Sequence, residues 1–146
     1  MKITALLATA VAVAESRLYV QGGGWQVVQS ARLPAVIPNL GVGIVADFEA
    51  GELTRARRLA LRIRDASRHL VALTQDDGTG QHDKEWRDQI AAELPPVATE
   101  DQTATITFTL AFNIQQVTLA YDTPYEVEIV IDDEVRELMV ALRQGR

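Results

Sequence analysis

Apolar and polar residues alternate with a period of two over most of the chain, the mark of half-buried β-strands. Arg57–Arg64 is the clearest case, with Leu59, Leu61 and Ile63 on one side and Arg58, Ala60, Arg62 and Arg64 on the other. Leu40, Val42, Ile44, Ala46 and Phe48 form a second apolar row. The opposite side of that row is bare at Gly41 and Gly43, as expected where another segment packs closely. Thr103–Asn113 turns Ala104, Ile106, Phe108, Leu110 and Phe112 toward a core and leaves Thr103, Thr105, Thr107 and Thr109 as an outward row. Lys2–Val11 reads as a core strand and Arg17–Gln21 as its hairpin partner. His69–Leu73 reads as the return partner of Arg57–Arg64, after a turn at Asp65-Ala66-Ser67.

Pro124–Ile131 and Glu134–Leu142 form a closing hairpin around Asp132-Asp133. A two-residue loop there sets Ile131 opposite Glu134, Val127 opposite Leu138 and Tyr125 opposite Val140. Glu126 and Glu128 then point outward, where they would serve solubility. The period changes only at Asp83–Leu94, where Trp86, Ile90 and Leu94 recur every fourth residue. This spacing predicts a short helix near 83–94, capped by Asp83 and stopped by Pro95-Pro96. Gln75–Lys84, polar and glycine-containing, reads as a surface loop. The expected fold is mainly β: a two-sheet antiparallel sandwich, immunoglobulin-like, with about eight or nine strands and that one helix. With 146 residues and no linker, residues 1–146 form a single domain.

Composition narrows the chemistry. Apolar residues at 47% and charged residues at 23% describe an ordinary globular chain. A net charge of -6 opposes nonspecific nucleic-acid binding, so that partner is not expected. No cysteine is present, which removes disulfides, thiolate metal sites and cysteine nucleophiles. Met1-Lys2 followed by an apolar run, with Ala12-Val13-Ala14 as a small-residue site, has the outline of a secretory signal. That remains the alternative to a first strand. The run is too short to span a membrane, and a cytoplasmic or virion setting is favoured over secretion.

Gly22-Gly23-Gly24 invites a phosphate-loop reading, but a strand-like Gln26–Gln29 follows and the loop's lysine is missing. A bulge covered by Trp25 is the better reading. His69 and His82 lack the spacing of a zinc site, and Asp76–Gly80 lacks the alternating carboxylates of a calcium loop. Ser16, Ser30 and Ser67 have no nucleophile-elbow setting. No catalytic, cofactor or metal residue is assigned, and the chain is expected not to be an enzyme. The candidate interaction residues are Arg58, Arg62, Arg64 and Trp25. The first three belong to a cluster with Arg55, Arg57 and Arg68, and arginine forks suit carboxylates and phosphates. The bland alternative is a solvated, charge-protected strand face.

Met1-Lys2-Ile3-Thr4-Ala5-Leu6-Leu7-Ala8 and Leu18-Tyr19-Val20-Gln21-Gly22-Gly23-Gly24-Trp25 resemble the opening of a group of small uncharacterised actinobacterial and phage proteins. Tyr125-Glu126-Val127-Glu128-Ile129 is similar to their closing hairpin. The likeness covers the first 25 residues and, loosely, the last 25, and Asp83–Leu94 departs from it. It implies a β-sandwich and no established activity. The expected function is a non-enzymatic structural or interaction module acting by protein–protein assembly, as a homo-oligomer or as a virion or particle accessory (decoration) protein. The alternative is a small-ligand or carbohydrate binder that stacks its ligand on Trp25, Tyr19 or Trp86.

Overall fold

The computed structural model describes residues 1–24, 27–30, 34–75, 87–120, 123–132 and 134–144, without the side chains of 27–30, 75 and 135–144. It is mainly β. The strands are β1 (Lys2–Ala8), β2 (Ala10–Ala14), β3 (Arg17–Gln21), β4 (Val27–Ser30), β5 (Ala35–Glu49), β6 (Arg57–Arg64), β7 (Thr74–Gln75), β8 (Ile90–Leu94), β9 (Thr105–Leu119), β10 (Pro124–Ile131) and β11 (Glu134–Gln144). A 3-10 turn at Ala50–Leu53 is the only helical element among the described residues.

One sheet has the order β1-β5-β9-β7 and the other β4-β11-β10-β6-β8. Their pairings are antiparallel except for β4 on β11, which is parallel. The core lies between the two sheets. Leu40, Val42, Ile44 and Phe48 from β5 meet Leu59, Leu61 and Ile63 from β6 and Tyr125, Val127, Ile129 and Ile131 from β10 in one cluster. Phe108 packs edge-on against Phe48 with centroids 6.0 Å apart, and the Arg57 guanidinium lies 5.7 Å from the Phe48 centroid. The closing hairpin has the expected register, with Ile131 opposite Glu134, Val127 opposite Leu138 and Tyr125 opposite Val140.

The long strands β5 and β9 change buried side together. On β5 the buried residues shift from Ala35 and Ile37 to Leu40 and Val42; on β9 they shift from Phe112 and Ile114 to Val117 and Leu119. Between the shifts, Pro38 brings no N–H to the ladder and Gln116 sits at φ 50. A shared kink lets two 15-residue strands keep apolar side chains on the core throughout.

Three expectations are corrected. The helix near 83–94 is not found in the described part of that span, because Ile90–Leu94 is strand β8, paired with β6. Ile90 and Leu94 are four apart, which satisfies both a helical face and a period of two; Pro95-Pro96 ends either element. Trp86 and Asp83 lie outside the described residues. The strand expected over Lys2–Val11 breaks at Thr9, where the chain leaves the first sheet and starts β2. The return segment His69–Leu73 turns back along the end of β6 but forms no continuous ladder with it: Asp65 N–H donates to the His69 carbonyl (2.9 Å), Leu70 bridges Arg64 and Val71 N–H donates to the Ile63 carbonyl (2.8 Å), while Leu73 bridges Arg87 instead.

Candidate interaction surface

Two surfaces outside the core carry most of the unusual residues. The first is the ribbon of β2 and β3, which forms its own two-stranded sheet. Its hairpin turns at Glu15 and Ser16, both left-handed at φ 52 and 60, the conformation a two-residue turn with the right twist requires. The ribbon lies over the outer side of the first sheet, and the two glycines of β5 explain why it fits. A side-chain carbon at Gly41 would sit 3.1 Å from the Ala8 carbonyl oxygen and the Ala10 carbonyl carbon; one at Gly43 would sit 2.8 Å from Leu18.

A polar clasp fixes the crossing. Val11 N–H donates to Asn113 Oδ1 (3.2 Å), and Asn113 Nδ2 donates to the Val11 carbonyl (2.9 Å). Asn39 Nδ2 donates to the Thr9 carbonyl (2.7 Å) and to Asn113 Oδ1 (3.2 Å), while Gln115 Nε2 donates to Asn39 Oδ1 (2.6 Å). These bonds satisfy backbone groups that the break at Thr9 would otherwise leave without a ladder partner. At the ribbon's far end Gly24 N–H donates to the Leu7 carbonyl (2.8 Å), so this glycine segment is tied to the edge of β1. Val13, Tyr19 and Val20 nonetheless stay 42%, 52% and 40% exposed.

The second surface is the outer side of the second sheet. The β6–β10 register sets Arg64 opposite Glu126 and Arg62 opposite Glu128. Arg64 Nε donates to Glu128 Oε1 (2.9 Å), Arg68 donates to the same oxygen (3.1 Å), and Arg62 Nε lies 3.4 Å from Oε2. Arg68 also pairs with Glu126. Glu128 therefore points outward, as alternation predicts, yet its side chain is only 4% exposed. The expectation of a solvent-facing glutamate is corrected: three long arginine side chains from neighbouring segments roof it over.

Asp132 anchors the lower end of this face. It accepts from the Arg58 backbone N–H (3.1 Å), pairs with Arg57 and lies 3.8 Å from Arg55. The Arg58 N–H bond is the main cause that holds its carboxyl below the ordinary value; desolvation opposes it and the Arg57 bond reinforces it. Of the sequence-derived candidates, Arg62 and Arg64 are thus engaged with Glu128. The Arg58 side chain is exposed and makes no ion pair among the described residues. Trp25 lies outside the described residues, as do His82, Asp76 and Asp77. His69 is exposed and 3.7 Å from Asp65.

Glu128 and Asp132 are the residues that sequence reasoning missed as organising centres. The β6–β10 pairing would have revealed Glu128, since it puts two arginine–glutamate pairs side by side. Among the described residues no three His, Asp or Glu side chains converge as a metal site needs. No helix among them is long and apolar enough to cross a membrane. No curated protein and no solved structure matches the chain. A family model matches residues 3–140, and the chain accordingly belongs to the family of unknown function DUF6941.

Proposed function

We propose that the protein is a non-enzymatic interaction module that assembles with further copies of itself through the β2–β3 ribbon. The observation that carries this reading is the exposed apolar set Val13, Tyr19 and Val20 on a ribbon that is clasped to the sheet beneath. Tyr19 stands with Ala12 on the outward side of the ribbon, and Val13 and Val20 show at the margins of the side turned to the sheet; a surface already ordered by the clasp loses little entropy on contact. One concrete form is an accessory (decoration) subunit on a repeating particle such as a virion, where each copy would bury its ribbon. Light scattering over a range of concentrations tests it. Wild-type chain should rise above the monomer mass, and Tyr19→Lys with Val20→Lys should return it to monomer while leaving the circular dichroism unchanged. A wild-type chain that stays monomeric at every concentration overturns the proposal.

A second reading takes Tyr19 as a stacking platform for a sugar ring. Its support is the half-exposed phenol set opposite the small Ala12 in the ribbon register, which leaves the ring face open. Saturation-transfer NMR with neutral sugars separates the two readings, since only this one predicts transfer from the Tyr19 ring.

A further inference from the structure

On the outer side of the second sheet, Ala91, Ala60 and Val130 lie in one row across β8, β6 and β10, because Ala60 pairs with both of the others. Small and apolar, they form the floor of a groove. Arg58 and Arg62 flank Ala60 two residues away on either side of β6, on the same side of the strand. The hollows along this row have volumes of about 560 and 440 Å³ and share Arg55, Arg58 and Asp132 in their walls.

The charges in the groove do not cancel. Asp132 is occupied by Arg57, by the Arg58 backbone and, at 3.8 Å, by Arg55. Glu128 is occupied by Arg64 and Arg68 as well as Arg62. Arg62 approaches Glu128 through Nε, an atom that is buried and makes no hydrogen bond of proper geometry. Glu93 faces Arg58 in the register without forming an ion pair. Arg58, without an ion pair among the described residues, therefore presents its guanidinium to solvent beside an apolar floor, with the 75% exposed Arg55 next to it.

We infer that this groove binds an extended acidic segment of a partner protein, with one apolar side chain on Ala60 and a carboxylate on Arg58. The spacing sets the pattern. Arg58 and Ala60 stand two residues apart on one side of β6, so an extended partner matches them with an acid and an apolar residue at the same spacing. A guanidinium holds a carboxylate through paired N–H bonds, and the apolar residue displaces water from the floor. Nucleic acid is the less suitable occupant, because the groove belongs to a chain of net charge -6 and holds Glu93 at its margin. This surface is separate from the ribbon, and neither proposal depends on the other.

The test uses the full chain and a fluorescein-labelled peptide, Ser-Glu-Ser-Leu-Ser-Glu-Ser, followed by anisotropy at low salt. The glutamate peptide should bind at least about tenfold more tightly than its Gln-substituted counterpart. Arg58→Glu should weaken it about tenfold, and Glu93→Gln should tighten it. Ala60→Lys should also weaken it: it raises the positive charge but fills the floor, so this variant separates a groove from a mere cationic surface. Arg58 and Ala60 lie outside the core, and circular dichroism will show that the variants fold. Equal binding of the two peptides, unchanged binding by Arg58→Glu, tighter binding by Ala60→Lys, or displacement by duplex DNA in preference to free glutamate peptide would each overturn the inference.

Discussion

Replacing Glu128 by glutamine tests how much the buried carboxylate holds the second sheet together. The change keeps shape and one acceptor oxygen but removes the charge that faces three arginines. In the native chain Glu128 takes bonds of 2.9 and 3.1 Å from Arg64 and Arg68, plus the 3.4 Å approach of Arg62. Breaking a fully buried ion pair costs about 3–5 kcal/mol, because a charge is left uncompensated. The arginines here are 25%, 22% and 57% exposed, so water recovers part of their solvation. Glutamine also keeps a neutral hydrogen bond, worth about 1 kcal/mol. The expected loss is therefore about 1.5–2.5 kcal/mol. Glu126→Gln is the internal control: it pairs with the exposed Arg68 and is itself 26% exposed, so about 0.5 kcal/mol is expected. Urea unfolding reads both. With an m-value of about 2 kcal/mol/M, Glu128→Gln should lower the midpoint by about 1 M and Glu126→Gln by about a quarter of that. In 1 M salt the screening length falls to about 3 Å, and the Glu126 effect should vanish while most of the Glu128 effect persists. Equal midpoints for the two variants would refute the reasoning, because burial beneath arginines would then carry no energetic weight.

Gly41→Val should cost about 1–3 kcal/mol and loosen the ribbon selectively, since its side chain meets the Ala8–Ala10 backbone, which cannot rotate away. Hydrogen exchange should show the Val11 amide losing protection before the core strands do, and unchanged protection there would count against the clasp. Asp132→Asn should flatten the acid side of the stability curve. The folded carboxyl is held low, so its contribution is present above the ordinary value near pH 4 and is lost as pH falls through the folded value. Asparagine tolerates the left-handed backbone at φ 50, so the charge alone changes; urea midpoints of wild type and variant should differ at pH 7 and converge at low pH.

Much of the fold was legible because the pattern alternates along the strands, most strictly on β6, which buries one side throughout. Leu59, Leu61 and Ile63 on β6 could not have been reassigned without exposing all three. Pairing of Ile131 with Glu134 makes the hairpin register a local matter, and the sequence pattern specifies it to the residue. The vacant side at Gly41 and Gly43 also announced a close neighbour, though not which one, because the ribbon arrives from a distant part of the chain. Where local patterns were ambiguous, reading failed: Ile90 and Leu94 satisfy two periods at once, and only pairing with β6 decides between them.

Glu128 shows why a surface is harder to read than a core. Alternation states the direction of a side chain, a property of its own strand, and for Glu128 that direction was right. Exposure is a property of the neighbours. Arg62 and Arg64 reach Glu128 only because β6 lies beside β10, and Arg68 reaches it from a turn held at φ 68. Those pairings join residues about 60 positions apart, which no window along the chain can see. The same logic separates Arg58 from Arg62 and Arg64. All three share one side of β6, but only Arg58 stands opposite Glu93 without an ion pair, away from Glu128. An arginine cluster in sequence thus divides, once paired, into cations that hold the sheet and a cation left for a partner.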